Sequence, residues 1–134
     1  MNTSKILNAD FQSMDNYEPL IKDHSKRKEM KYKLLRVIEK TFADRYFNLK
    51  IGMQNTFEDM CFLATSRGYF CKDITYFSQK HDVGKSTIER NLKFLCDEKV
   101  LVKKHRTSPK HNGLGTPIYF FIDHPYFELW NKKI

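Results

Sequence analysis

The sequence predicts a mainly helical α+β domain with a basic β-hairpin before a short last helix. Apolar residues recur at helical spacing through most of residues 25–98. Two short apolar runs, Val100–Lys104 and Pro117–Ile122, flank a polar stretch containing Gly and Pro. A short helix, a tight turn and a longer helix immediately precede the first of these runs. The chain has 134 residues, 40% of them hydrophobic and 14% aromatic, which is enough for one core and excludes a mostly disordered protein.

Residues 1–24 mix Asn, Ser, Asp and isolated apolar side chains without a clear period. They read as an acidic, flexible leader with room for one short helix, ordered only where it docks; the domain proper is residues 25–134. From Ser25 the pattern changes. Met30, Leu34, Leu35, Val37, Ile38, Phe42 and Tyr46 fall at helical spacing, with the basic residues between Lys26 and Lys40 mostly around the rest of the helix. A long amphipathic helix from about Ser25 to Phe47 follows. Asn48 to Gln54, with Gly52, reads as a connection.

Thr56-Phe57-Glu58-Asp59 has the form of a capping box with Asp in place of Glu or Gln, and announces a second helix. Phe57, Met60, Cys61 and Ala64 give it an apolar face, and Gly68 stops it. Tyr69 to Cys71 fits a short strand. Asp73 caps a brief helix from Ile74 to about Lys80, with Phe77 inward. His81-Asp82-Val83-Gly84 is a tight turn. The next helix, Lys85 to about Glu98, carries Ile88, Leu92 and Leu95 at i, i+4 and i+7. Val100–Lys104 and Pro117–Ile122 form the hairpin around a loop from Thr107 to Thr116. Asp123 and Pro125 open a last helix to Lys132, bearing Phe127 and Trp130.

Charge narrows the partners. The net charge is +8, yet residues 1–24 sum to −2, so the remainder carries +10. A basic domain behind an acidic leader fits a polyanion, nucleic acid ahead of membrane. The longest run free of Asp, Glu, Lys and Arg, His111 to Ile122, is too short and polar to span a bilayer. The N-terminus has no signal-peptide pattern. Cys61, Cys71 and Cys96, odd in number and widely spaced, fit free thiols in a reducing cytosol, with a nucleoid-associated protein as the expectation.

Short helix, turn, longer helix and basic hairpin make the layout of a winged helix-turn-helix. The second helix must bury one side and present short polar or basic side chains to the major groove, ~12 Å wide. VGKSTIERNLKFL does both: Ile88, Leu92 and Leu95 point in, and Lys85, Ser86, Thr87, Arg90 and Lys93 point out. From Lys99 to His111 there are five Lys or Arg and no acid. Lys103, Lys104, Arg106 and Lys110 there are candidates for the DNA backbone or minor groove. Arg90 is the candidate for a bidentate guanine contact, and Ser86 and Thr87 sit at a helix N-terminus suited to phosphate.

The stretch YFSQKHDVGKSTIERNLKFLCDEKVLV resembles bacterial winged-helix proteins, in which a buried Val precedes a small-residue cap, then Ser-Thr-Ile and Arg-x-Leu-x-x-Leu. The continuation KKHRTSPKHNGLGTPIYFFI is similar to the wing of such proteins in phage and plasmid replication modules and in small regulators. The resemblance covers about residues 54–122. It implies that Lys85, Ser86, Thr87 and Arg90 face DNA. Gly84 stands where Ser or Thr is usual at the cap, and Lys99 replaces the common Gly after the helix, which predicts a looser exit.

Enzyme signatures fail. Gly84-Lys85-Ser86 has the end of a phosphate-binding loop, but position 79 is Gln where its first Gly belongs. His81, His105, His111, His124 and the cysteines lack metal-ligand spacing. The expectation is sequence-specific binding of double-stranded DNA with no catalysis, cofactor or metal and no membrane partner. Three roles stay open: a transcriptional regulator, a plasmid or phage replication initiator, or a winged-helix protein-interaction module. A homodimer would use the Ser25–Phe47 helix or Phe127 with Trp130.

Overall fold

Two aspartates set where helices begin. Asp23 accepts the Lys26 backbone N–H at 3.4 Å, and Asp73 accepts that of Thr75 at 2.9 Å, each satisfying an orphan donor of a first turn. The computed structural model describes residues 5–107 and 115–133. In order it holds β1 (Lys5–Ile6), α1 (Asn8–Asp15), α2 (His24–Phe42), a 3₁₀ turn (Ala43–Asn48), α3 (Ile51–Leu63) and β2 (Tyr69–Phe70). Then come α4 (Ile74–His81), α5 (Lys85–Asp97), β3 (Leu101–Arg106), β4 (Pro117–Phe121) and α6 (Phe127–Lys133). The fold is mainly helical α+β, as the periodicities predict.

The sheet runs β1-β3-β4-β2. β3 and β4 are antiparallel, with Leu101 opposite Phe121 and Lys103 opposite Tyr119. β2 adds antiparallel to β4, and β1 adds parallel to β3. Alternation along the strands divides the interior. Phe70, Leu101, Tyr119 and Phe121 pack with α2, α3, α4 and α5. Tyr69, Ile118 and Phe120 face the other way, onto Ile6, Phe11, Met14 and Trp130. The sheet is therefore sandwiched between a helical bundle and a thinner layer made by α1 and α6.

That second layer alters the reading of the leader. Residues 5–17 are packed: Ile6 is paired in the sheet, Phe11 and Met14 are buried, and Tyr17 stacks edge-on against Trp130 at 5.4 Å. The Thr107 N–H donates to the Ile6 carbonyl at 2.8 Å, and the Leu20 N–H to that of Ser66 at 2.8 Å. Buried positions 6, 11 and 14 belong to a strand and a two-turn helix, too short for either period to register. Trp130 is fully buried and donates its Nε1–H to the Arg67 carbonyl at 2.6 Å, so it is a core residue and not a dimer surface.

Other boundaries also shift. α2 ends at Phe42 rather than Phe47, because Ala43 turns the chain at φ 55° and brings α3 back alongside. Tyr46 still joins Phe42 and Phe57 in the core. α3 begins at Ile51, five residues before the capping-box pattern. Thr56 is no cap: it is buried inside the helix and its hydroxyl donates to the Gly52 carbonyl at 2.7 Å. Gly52 is a packing residue, since a Cβ there would lie 2.4 Å from the His81 carbonyl oxygen. α3 stops at Leu63, and the chain winds on to Gly68 at φ 83°, packed against the His124 ring. α6 starts at Phe127, two residues after Pro125.

Candidate nucleic-acid interface

The α4–turn–α5 unit is built by short-range bonds. Asp73 caps α4, and the Thr75 N–H it accepts holds its carboxyl below the usual carboxylate range. At the other end Asp82 adopts the left-handed conformation, φ 52° and ψ 56°. The Ser78 hydroxyl donates to the Val83 carbonyl at 2.6 Å, which locks the turn, and Val83 itself is buried. Asp59 on α3 reaches across to His81 Nε2 at 2.9 Å and Lys80 Nζ at 3.1 Å. Gly84 then occupies the N-cap of α5 in extended conformation, with no side chain to bond the first turn.

α5 buries Ile88, Leu92 and Leu95 completely or nearly so. Lys85, Ser86, Arg90 and Lys93 are exposed and Thr87 is half-buried, which places all five as the spacing predicts. The Arg90 side chain makes no hydrogen bond or ion pair among the described residues. Lys93 meets Asp97 at 3.2 Å across a solvated helix face, a contact too exposed to hold it. Lys99 takes φ 61°, and the Val100 N–H donates to the Leu95 carbonyl at 2.9 Å. The exit is thus as tight as a glycine would make it, and the looser exit expected from Lys99 is not found.

The hairpin cations separate. Lys103 is exposed and lies 5.9 Å from the Tyr119 ring centroid, on the same side of the sheet as α5. Lys104 points the opposite way beside Ile118, is 6% exposed, and burial pushes its amine below the usual lysine value. Arg106 follows it to that far face, with its guanidinium 4.9 Å above the Phe11 ring. Lys110 and His111 lie outside the described residues. His105 is half-buried in β3 opposite Lys5. Period-2 alternation alone splits Lys103 from Lys104; what the sequence concealed was the layer covering the second face.

A groove of about 770 Å³ runs between α5 and the hairpin, lined by Glu89, Lys93, Cys96, Lys103, Pro117 and Tyr119 among others. Burial holds the Tyr119 phenol up at about 12, so it stays neutral beside Lys103. Glu89 and Tyr119 line the same groove, Glu89 from the exposed face of α5 and Tyr119 through the register of β4 with β3. Cys61 is buried, Cys71 and Cys96 are half-buried, and all three thiols are free. Among the described residues no helix is long and apolar enough to cross a membrane, and no cluster of His, Cys, Asp or Glu is arranged to hold a metal. No family model, no curated protein and no solved structure matches the chain.

Proposed function

We propose that the chain is a winged-helix protein that binds double-stranded DNA sequence-specifically, with α5 in the major groove and the β3–β4 hairpin as the wing. The observation that carries this reading is one geometric arrangement. β2, between α3 and α4, pairs antiparallel with β4, which clamps the helix pair to the hairpin. The exposed side of α5 and the near face of β3 then flank one groove with Lys93 and Lys103 on it. The net charge supplies the long-range attraction for a phosphate backbone. Lys85, Ser86, Thr87 and Arg90 are the base- and phosphate-contacting set at the start of α5, with Glu89 able to accept from a cytosine amino group. Lys104 and Arg106 lie on the far face of the sheet, and this reading leaves them out of the interface.

The biological role within this reading is transcriptional regulation in a prokaryote, with α2 as the surface for a homodimer now that Trp130 is internal. Selection of bound sites from random duplex DNA tests it. An enriched palindrome supports a dimeric regulator; direct repeats replace that role with replication initiation. No enrichment rejects DNA reading altogether and leaves a protein-interaction module.

A further inference from the structure

On the far face of the sheet, away from α5, a cleft of about 270 Å³ opens between α1, the α3–β2 connection and the end of β3. Its walls include the Phe11 and Tyr69 rings, 5.7 Å apart. Three cations line it, Arg67, Lys72 and Arg106, against a single carboxylate among the described lining residues, Asp15. Asp15 is already engaged: the Tyr69 hydroxyl donates to it at 3.1 Å, and burial with the neighbouring carboxylate pushes that phenol up, so the donor stays protonated. Arg67 is held in place twice, its Nε–H donating to the Tyr17 carbonyl at 3.0 Å and its own carbonyl accepting from Trp130.

Arg106 is the informative member. Its guanidinium lies over Phe11, and its Nε is buried with no hydrogen-bond acceptor among the described residues. A buried N–H donor with no acceptor is costly, and such a group calls for a partner. We propose that this cleft binds a small organic anion, an aromatic or other apolar body carrying a phosphate or carboxylate. The anionic end meets Arg106, Lys72 and Arg67, and the apolar body lies along Phe11 and Tyr69. The volume sits just under the ~300–1,000 Å³ of ordinary small-molecule pockets, which favours a fragment-sized ligand over a dinucleotide. The site lies on the opposite side of the sheet from the proposed DNA groove and stands independently of it.

Calorimetric titration of the full chain, without DNA, tests this with phenyl phosphate, inorganic phosphate and phenol as probes. Phenyl phosphate is expected to saturate a single site, with phenol and inorganic phosphate each at least about tenfold weaker because each lacks half of the recognised chemistry. Arg106→Gln, checked for native circular dichroism, should weaken phenyl phosphate by about tenfold or more, since charge-assisted bonds are the strong ones. Lys72 is exposed, so Lys72→Gln leaves the fold intact and should weaken binding several-fold. Absence of saturable binding overturns the proposal. So does phenol or inorganic phosphate binding as tightly as phenyl phosphate, or an unchanged affinity in Lys72→Gln together with any Arg106→Gln protein that folds.

Discussion

Arg90 and His124 show how differently single side chains act in this fold. Arg90 lies one turn beyond Ser86 with its guanidinium in solvent, so its value rests wholly on what it meets outside the chain. Arg90→Ala should cost ~1–3 kcal/mol at a selected site and relax preference at one base pair, read by fluorescence anisotropy on cognate and scrambled duplexes. Arg90→Lys should restore charge without the planar fork, so discrimination stays impaired. Equal losses on both duplexes would reduce Arg90 to a phosphate contact. His124, by contrast, is satisfied entirely within the protein. The Tyr126 N–H donates to its Nδ1 at 3.0 Å, so Nε2 carries the proton that bonds the Thr65 carbonyl at 2.8 Å. Burial lowers its pKa from 6.5, so the unfolded chain takes up a proton that the native ring refuses. Its contribution is therefore complete above pH 6.5 and declines as pH falls through 6.5 toward the lowered native value. Urea unfolding across that range should show wild type losing stability faster than His124→Asn; parallel curves would mean the ring is not held neutral.

At the scale of elements, the hairpin and α3 make the contrast between what local pattern reveals and what packing decides. α5 was legible because its buried and exposed positions keep a strict helical period, and Asp73 announces α4 by its short carboxylate. The hairpin strands were legible too, yet the fate of each cation depends on which face the rest of the chain covers. Lys103→Ala should lower the log–log salt dependence of DNA binding by ~0.9, the loss of one phosphate contact. Arg106→Ala should leave that slope unchanged, and a fall equal to that of Lys103→Ala would bring the far face onto the DNA. The start of α3 is hidden in the sequence because Gly52 has the look of loop punctuation. Its missing Cβ is what lets the α4–α5 turn approach, and the atom a methyl would meet is a backbone carbonyl that cannot swing aside. Gly52→Ala should destabilise the protein by ~1–3 kcal/mol in urea unfolding, as overpacking does. A neutral result would show that the turn sits further from α3.

For the molecule as a whole, the sheet serves two cores at once, and the segment that looked detachable supplies one of them. Ile6, Phe11 and Met14 all leave water on folding, each worth ~1.5–3 kcal/mol at full burial. A chain beginning at residue 18 should therefore unfold at markedly lower urea than the full protein, since Ile118, Phe120 and Trp130 lose their cover. An unchanged midpoint would return residues 1–17 to the status of a leader. Residues 5–17 carry little local sign of this, because neither a two-residue strand nor a two-turn helix repeats its apolar period often enough to stand out.

The chain contains one tryptophan, and it lies in the layer made by α1 and α6, with its indole N–H bonded to Arg67. Its emission is thus a private optical channel into that layer, while far-ultraviolet circular dichroism is dominated by the helices of the other. If both signals trace one melting curve, the two layers are a single cooperative unit. If the fluorescence reddens first, the α1–α6 layer opens ahead of the helical bundle, and the same spectrometer that detects the opening also times it.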